Sequence, residues 1–242
     1  MFMAHFGPED GAGIMGRVYA LPHGRASILF ALVAGVGIAL LSAAPERRFD
    51  ARLRLFWLAM ILLPMGLMLQ DFDHPVAVIL QHYAAFFILG LCVLDVPRQW
   101  LLGLAAAMTL IEPGLFLAGR MTLPDVFDRD TVSISDTPWT ILAGLLFAGP
   151  YPLLTWSAPI LWDLWLGRCD LRAMPVRIWL VVGGALAAVA STILSEGLVV
   201  IFSAPAFTGD WRHILVTTAH SQMPFWMVSS VGLGTAVLGW HC

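Results

Sequence analysis

Long apolar runs separated by short polar breaks leave a chain few ways to fold. About 20 apolar residues match the hydrocarbon core of a bilayer. A backbone placed there must satisfy its own hydrogen bonds, which favours helices. Seven such runs are legible, at about 25–43, 54–70, 75–94, 99–119, 139–166, 178–203 and 225–241, divided by charged or Pro/Gly-rich segments. Only 12% of the 242 residues are charged, about half the ~25% usual in soluble domains. The sequence therefore predicts an all-α fold, a polytopic transmembrane helix bundle with about seven spans. Residues 1–242 form a single transmembrane domain in the lipid bilayer, with 1–24 as an outer segment.

The charges set an orientation. All 13 basic residues are arginine, and with 16 acids the formal net charge is −3, which gives no electrostatic case for nucleic acid. Arg47, Arg48, Arg52 and Arg54 fall within eight positions, so the positive-inside rule puts loop 45–54 in the cytoplasm. Alternation then places Arg98, Arg168, Arg172 and Arg177 on the same side. Arg17, Arg25, Arg120, Arg129 and Arg212 fall outside, among Asp125, Asp128, Asp130 and Asp136. The lack of lysine points to a GC-rich bacterial genome, and so to the inner (cytoplasmic) membrane. Cys92, Cys169 and Cys242 show neither CxxC nor metal-ligand spacing, so no metal and no disulfide framework is expected. The start lacks the basic n-region and cleavage site of a signal peptide. Both ends read as cut, with a further helix expected to end near Met1 to Phe6.

Polar groups are costly inside a membrane and mark sites there by default. His82 and Tyr83 follow Gln81 in the third span, and Glu112 precedes Pro113 in the fourth. Glu112 either lines a polar cavity or pairs with Arg120. Asp163 is expected to answer Arg168 or Arg172. Thr192, Ser195 and Glu196 share a helix face by their spacing, and Glu196 should point into the bundle. On the outer side gather His5, His23, His74, His213 and His220, with Asp71 and Asp73. Imidazole suits general acid/base work near neutral pH. Gly35-Val36-Gly37 and Gly183-Gly184 read as close helix contacts, and the arginine loop as membrane anchoring, with attraction for a cofactor's phosphates as the alternative.

Three stretches carry a resemblance: Gly24-Arg25-Ala26-Ser27 leading to Gly35-Val36-Gly37, Gln81-His82-Tyr83 within the third span, and Ala219-His220-Ser221-Gln222-Met223-Pro224 before the seventh. With them, most of the chain resembles bacterial heparan-alpha-glucosaminide N-acetyltransferase-like proteins and related membrane proteins grouped with transmembrane acyltransferases. The resemblance implies a bundle of ten or eleven helices that takes an acyl group from acetyl-CoA and passes it to a sugar-like acceptor across the membrane. It places His5 at the Asn of a first-helix motif and Gly35-Val36-Gly37 at a Gly-x-Ser. The outer-loop His-x-x-Trp-x-Gly of the eukaryotic members is missing, with His23 lying near its histidine.

The function expected on this footing is acyl transfer to an amino or hydroxyl group. His5 or His23 would act as general base, Arg25 would stabilise negative charge, and His220 stands as an outer-loop candidate. The rival is a small-molecule transporter whose pathway is lined by Glu112 and Glu196. A third reading is a fragment of such a protein, inactive without its missing helices.

Overall fold

A computed structural model describes residues 25–72, 77–207, 209–218 and 221–241. Among them are nine α-helices: α1 (Arg25–Leu41), α2 (Arg48–Gln70), α3 (Leu80–Val93), α4 (Arg98–Thr122), α5 (Pro124–Phe127), α6 (Pro138–Phe147), α7 (Leu153–Leu166), α8 (Met174–Phe202) and α9 (Pro224–His241). Two 3-10 turns, Pro45–Arg47 and Trp211–Leu215, complete the regular structure. Prolines set many of the helix starts. Pro97 and Pro152 precede α4 and α7 in extended conformation, and Pro124, Pro138, Pro175 and Pro224 lie in the first turns of α5, α6, α8 and α9. There the missing N–H is no loss, because the first turn has no partner for it.

The all-α bundle stands, but the seven spans do not. Among the described residues only α2, α4 and α8, of 23, 25 and 29 residues, are both long and apolar enough to cross a membrane, and they point to an integral membrane protein. The expected span 139–166 is two helices. Ala148 is extended, Gly149 takes φ +77°, and Pro150 and Pro152 prevent continuation. Helices α3 and α7 have 14 residues each, about 21 Å at 1.5 Å per residue, short of the ~30 Å hydrocarbon core. The run read at 75–94 had drawn the segment before α3 into the helix. The 17-residue α1 is likewise short, and α9 is diluted by Ser229, Ser230 and Thr235.

The short helix α7 is the axis of the bundle. Eleven of its 14 residues are buried, as expected of a helix apolar on all sides. Trp156 has no exposed surface and meets Phe86 of α3, Tyr151 and Trp226 of α9, with ring centroids 6.1, 5.2 and 6.3 Å away. Helices α1, α3 and α4 pack directly on α7, and α2 packs on α3. The pair α8–α9 is tightly joined. A Cβ on Gly184 would lie 2.5 Å from the Gly232 carbonyl oxygen, and one on Gly232 would lie 2.7 Å from that of Gly184. Such backbone approach is how helices associate where lipid offers no hydrophobic drive. The long helices turn apolar side chains outward, among them Trp57, Ile61, Leu110, Leu186 and Val200.

Contacts at the helix ends sort the molecule into two poles. At one, Arg48 and Arg52 pair with Asp95. Arg168 donates to the carbonyls of Leu94, at 2.8 Å, and Val96. Arg177 caps α9 through the carbonyls of Gly239 and Trp240, at 3.3 and 3.2 Å, a placement that also complements the helix dipole. This cationic pole holds the eight arginines assigned to one side by sequence. The other pole carries Arg120, Arg129, Arg212 and the loop acids around 125–136.

Candidate functional site

Helix α4 ends, the loop 128–137 crosses, and the turns before α7 and α9 enter at the second pole. Together they enclose a polar vestibule of about 550 Å³, within the range of small-molecule sites. Phe116 and Phe127 form an apolar wall. Arg120, Asp128, Arg129, Asp130 and His213 supply the charge and imidazole, and Thr218, Ser221 and Gln222 supply further hydrogen-bonding groups. Arg120 holds Asp128 at 2.6 Å and Arg129 reaches Asp136 at 3.4 Å.

Gln222 holds two entering turns in register. It is buried, with φ +60°, a region that is uncommon for any residue but glycine. Its Oε1 accepts from Thr155 Oγ1 at 2.6 Å and its Nε2 donates to the Gly149 carbonyl at 3.0 Å. Gly149 is itself held by its N–H, which donates to the Arg129 carbonyl at 3.0 Å. Any side chain at Gly149 would meet the Asp130 carbonyl oxygen at 2.6 Å. Two adjacent positive-φ residues at the rim of a cavity are the kind of backbone strain found at functional sites.

His213 is presented by the turn Trp211–Leu215, which is pinned at both ends. Asp210 caps its start, accepting from the backbone N–H of Arg212 at 3.0 Å and Ala206 at 2.9 Å. The Arg212 guanidinium, 2.6 Å away, holds the Asp210 carboxyl well below the usual carboxylate range. Ser195 Oγ donates to the Leu215 carbonyl at 2.5 Å and fixes the other end to α8. His213 Nε2 lies 3.0 Å from the Phe207 carbonyl oxygen. A carbonyl only accepts, so this contact is made by Nε2–H.

The sequence candidates divide three ways. His5, His23, His74 and His220, with Asp73, lie outside the described residues. His82 and Tyr83 sit inside the bundle. His82 is edge-on to Tyr151 at 5.5 Å and borders the vestibule turn at Gly149, while Tyr83 lies among Phe86, Phe87 and Asp163. Glu112 is 1% exposed and faces Ser157 of α7, with Oε2 lacking a hydrogen-bond partner. It does not pair with Arg120, which is engaged by Asp128. Arg25 donates to Ser229 Oγ at 3.4 Å, outside the vestibule lining.

Two placements differ from expectation. Glu196 is exposed rather than turned inward. The buried stripe of α8 runs through Leu180, Gly184, Ser191 and Ser195, and one residue further turns the helix ~100° away from it. Asp163 answers neither Arg168 nor Arg172. It is fully buried against Gly35, its carboxylate oxygens are without hydrogen-bond partners, and Arg168 is committed to backbone carbonyls. Gln222 stands out in the sequence only within the stretch 219–224, Asp128 and Arg129 only in the partition of charge, and Arg120 in that partition and as a partner for Glu112 that the structure instead pairs with Asp128. The dense alternation of acid and arginine at 125–130, close behind Arg120, was the available signal.

A second charged cavity, of about 470 Å³, lies at the cationic pole between the end of α1 and the start of α2. Arg47 and Arg54 line it with Asp50. Among the described residues no three His, Cys, Asp or Glu side chains converge as a metal ion would require. No protein-family model, curated protein or solved structure matches the chain.

Proposed function

We propose that this integral membrane protein is an acyltransferase of the bacterial inner membrane. In this reading the cationic pole is cytoplasmic and the vestibule takes a sugar-like acceptor on the outer side. The observation that carries it is the pinned His213, whose Nε2 is held at the Phe207 carbonyl and which lines a small-molecule-sized polar chamber. Mixed guanidinium, carboxylate and hydroxyl walls suit a ligand rich in hydroxyl or amino groups.

The donor proposed is acetyl-CoA, which supplies an acyl carbon activated as a thioester. In the vestibule His213 Nδ1 takes the proton of the acceptor's O–H or N–H as its oxygen or nitrogen bonds to the acyl carbon. Gln222 keeps the floor rigid, and Arg120 and Arg129 orient the acceptor. The bond between the acyl carbon and the thioester sulfur breaks in the same transfer, and the imidazolium returns its proton to the departing thiolate.

The test is transfer of labelled acetyl from acetyl-CoA to an amino sugar in proteoliposomes. General-base help of this kind contributes about 10²- to 10⁴-fold, so His213→Ala should lower transfer by that factor while His5→Ala and His23→Ala serve as comparisons. A folded protein that neither transfers label nor binds acetyl-CoA defeats the reading. One observation favours a permease instead. Glu112 is buried beside Pro113 within the continuous helix α4, just below the vestibule, and an acid inside the membrane marks a solute or ion pathway. Solute uptake abolished by Glu112→Gln, with acetyl-CoA bound by neither form, would select it.

A further inference from the structure

A third cavity, of about 490 Å³, lies between α4, α7, α8 and α9. Its character is the reverse of the vestibule's. The only hydroxyls on its wall are already engaged: Thr109 Oγ1 donates to the Ala105 carbonyl at 2.8 Å, and Thr235 Oγ1 accepts from Trp162 Nε1 at 3.0 Å. A cavity so poor in polar groups is a poor site for water or a polar solute. It lies along the first half of α4 and α8, two of the three helices that can cross a membrane. At its rim Leu110 and Val228 are exposed, so it opens sideways onto the apolar surface rather than toward either pole. The phase available at such an opening is hydrocarbon.

The cavity and the vestibule share elements. Both touch α4, and the cavity is lined by α7 and α9 where the vestibule is lined by the turns that lead into them. Along α4, Thr109 lines the lower chamber and Phe116 the upper, seven residues or about 10 Å apart. The layer between them is polar and buried, with Glu112 facing Ser157 and Thr155 bonded to Gln222.

We infer that the lower cavity binds the hydrocarbon chain of a membrane lipid whose polar head lies at the vestibule, so that the acceptor of the transfer reaction is a lipid-linked group rather than a free sugar. The inference rests on the acyltransferase reading for its chemistry, but the binding is measurable without transfer. Its lateral opening lets the chain enter from the bilayer while the head stays at the polar pole. The seam between the α4–α7 and α8–α9 pairs is the groove the chain follows.

Gly183 gives a clean test. It lines the cavity, and a Cβ there would meet nothing nearer than Trp179 at 3.9 Å. Gly183→Leu therefore fills the cavity without a backbone conflict, and Gly183→Ala leaves most of it open. The whole protein is reconstituted in vesicles of phosphatidylethanolamine and phosphatidylglycerol that contain a phospholipid with a diazirine on its acyl chain. After irradiation, adducts are mapped by mass spectrometry. Adducts are expected on 102–110 and 227–235. Gly183→Leu should reduce them about tenfold or more, the loss expected when two or three methylenes are displaced. Gly183→Ala and the adducts on the outer face at Ile61 should change little. Seam labelling no stronger than that of the outer face, seam labelling indifferent to Gly183→Leu, or crosslinks from the seam to residues 1–24 or to a second copy would each overturn the inference. Seam labelling without acetyl transfer would instead overturn the reaction and leave the lipid site standing. Transfer to a soluble sugar without seam labelling would do the reverse.

Discussion

At the scale of single residues, the vestibule depends on backbone that most side chains avoid. Gln222→Ala would keep the strained φ while leaving the Thr155 hydroxyl and the Gly149 carbonyl without their partner. Leaving buried polar groups unsatisfied costs about 1–3 kcal/mol, and thermal unfolding in detergent should show a loss of that size. Gln222→Gly loses the same bonds but relieves the φ, so it should be less destabilising by roughly 1 kcal/mol. Equal loss in both variants would deny any strain at 222. These two residues also mark the limit of what sequence conveys. Gly149-Pro150 before Pro152 is a legible break, yet it was read through as one span because hydropathy averages over it. That Gln222 closes onto Gly149, 73 positions away, is a tertiary fact with no local signature.

Asp163 raises a question that belongs to the element. A buried carboxylic acid without hydrogen-bond partners, on the helix around which the bundle is built, adds no stability that packing could not supply better. Asp163→Ala is therefore expected to hold or raise the melting temperature, and a marked fall would show that the carboxyl is a structural linchpin of α7. The segment 203–215 behaves differently, because its acid is engaged. Asp210 is depressed by Arg212, so its contribution is complete above the unfolded value of about 4 and is lost only as pH falls through the lower folded value. Hydrogen-exchange protection of 203–207 and 209–215, relative to the unfolded chain at each pH, should thus hold from neutral pH down to the ordinary carboxylate range and fall in stronger acid. Asp210→Asn should bring fast exchange to neutral pH. Helix type was legible throughout from composition and length, whereas span number was not. A 14-residue apolar helix buried among others has the same hydropathy as part of a spanning one, and only packing tells α3 and α7 from α2, α4 and α8.

At the scale of the whole molecule, the partition of arginines was the most legible feature, since the eight assigned to one side by counting do collect at one pole. If that pole is cytoplasmic as proposed, single cysteines report it directly. With Cys92, Cys169 and Cys242 replaced, Ser135→Cys should react with a membrane-impermeant maleimide on intact cells, and Asp50→Cys only after lysis. The opposite pattern would invert the protein and move the vestibule to the cytoplasm. The cavities were not legible at either scale, because each is bounded by elements distant in sequence. The Gly184–Gly232 contact has one more consequence. It fastens α8 to α9 backbone to backbone, while this pair meets the rest of the bundle chiefly through α1 and α4. The helices packed on α7, namely α1, α3 and α4, all precede α8 in the chain, so a ribosome making this protein releases the parts of that cluster before the clasped pair that leans on it.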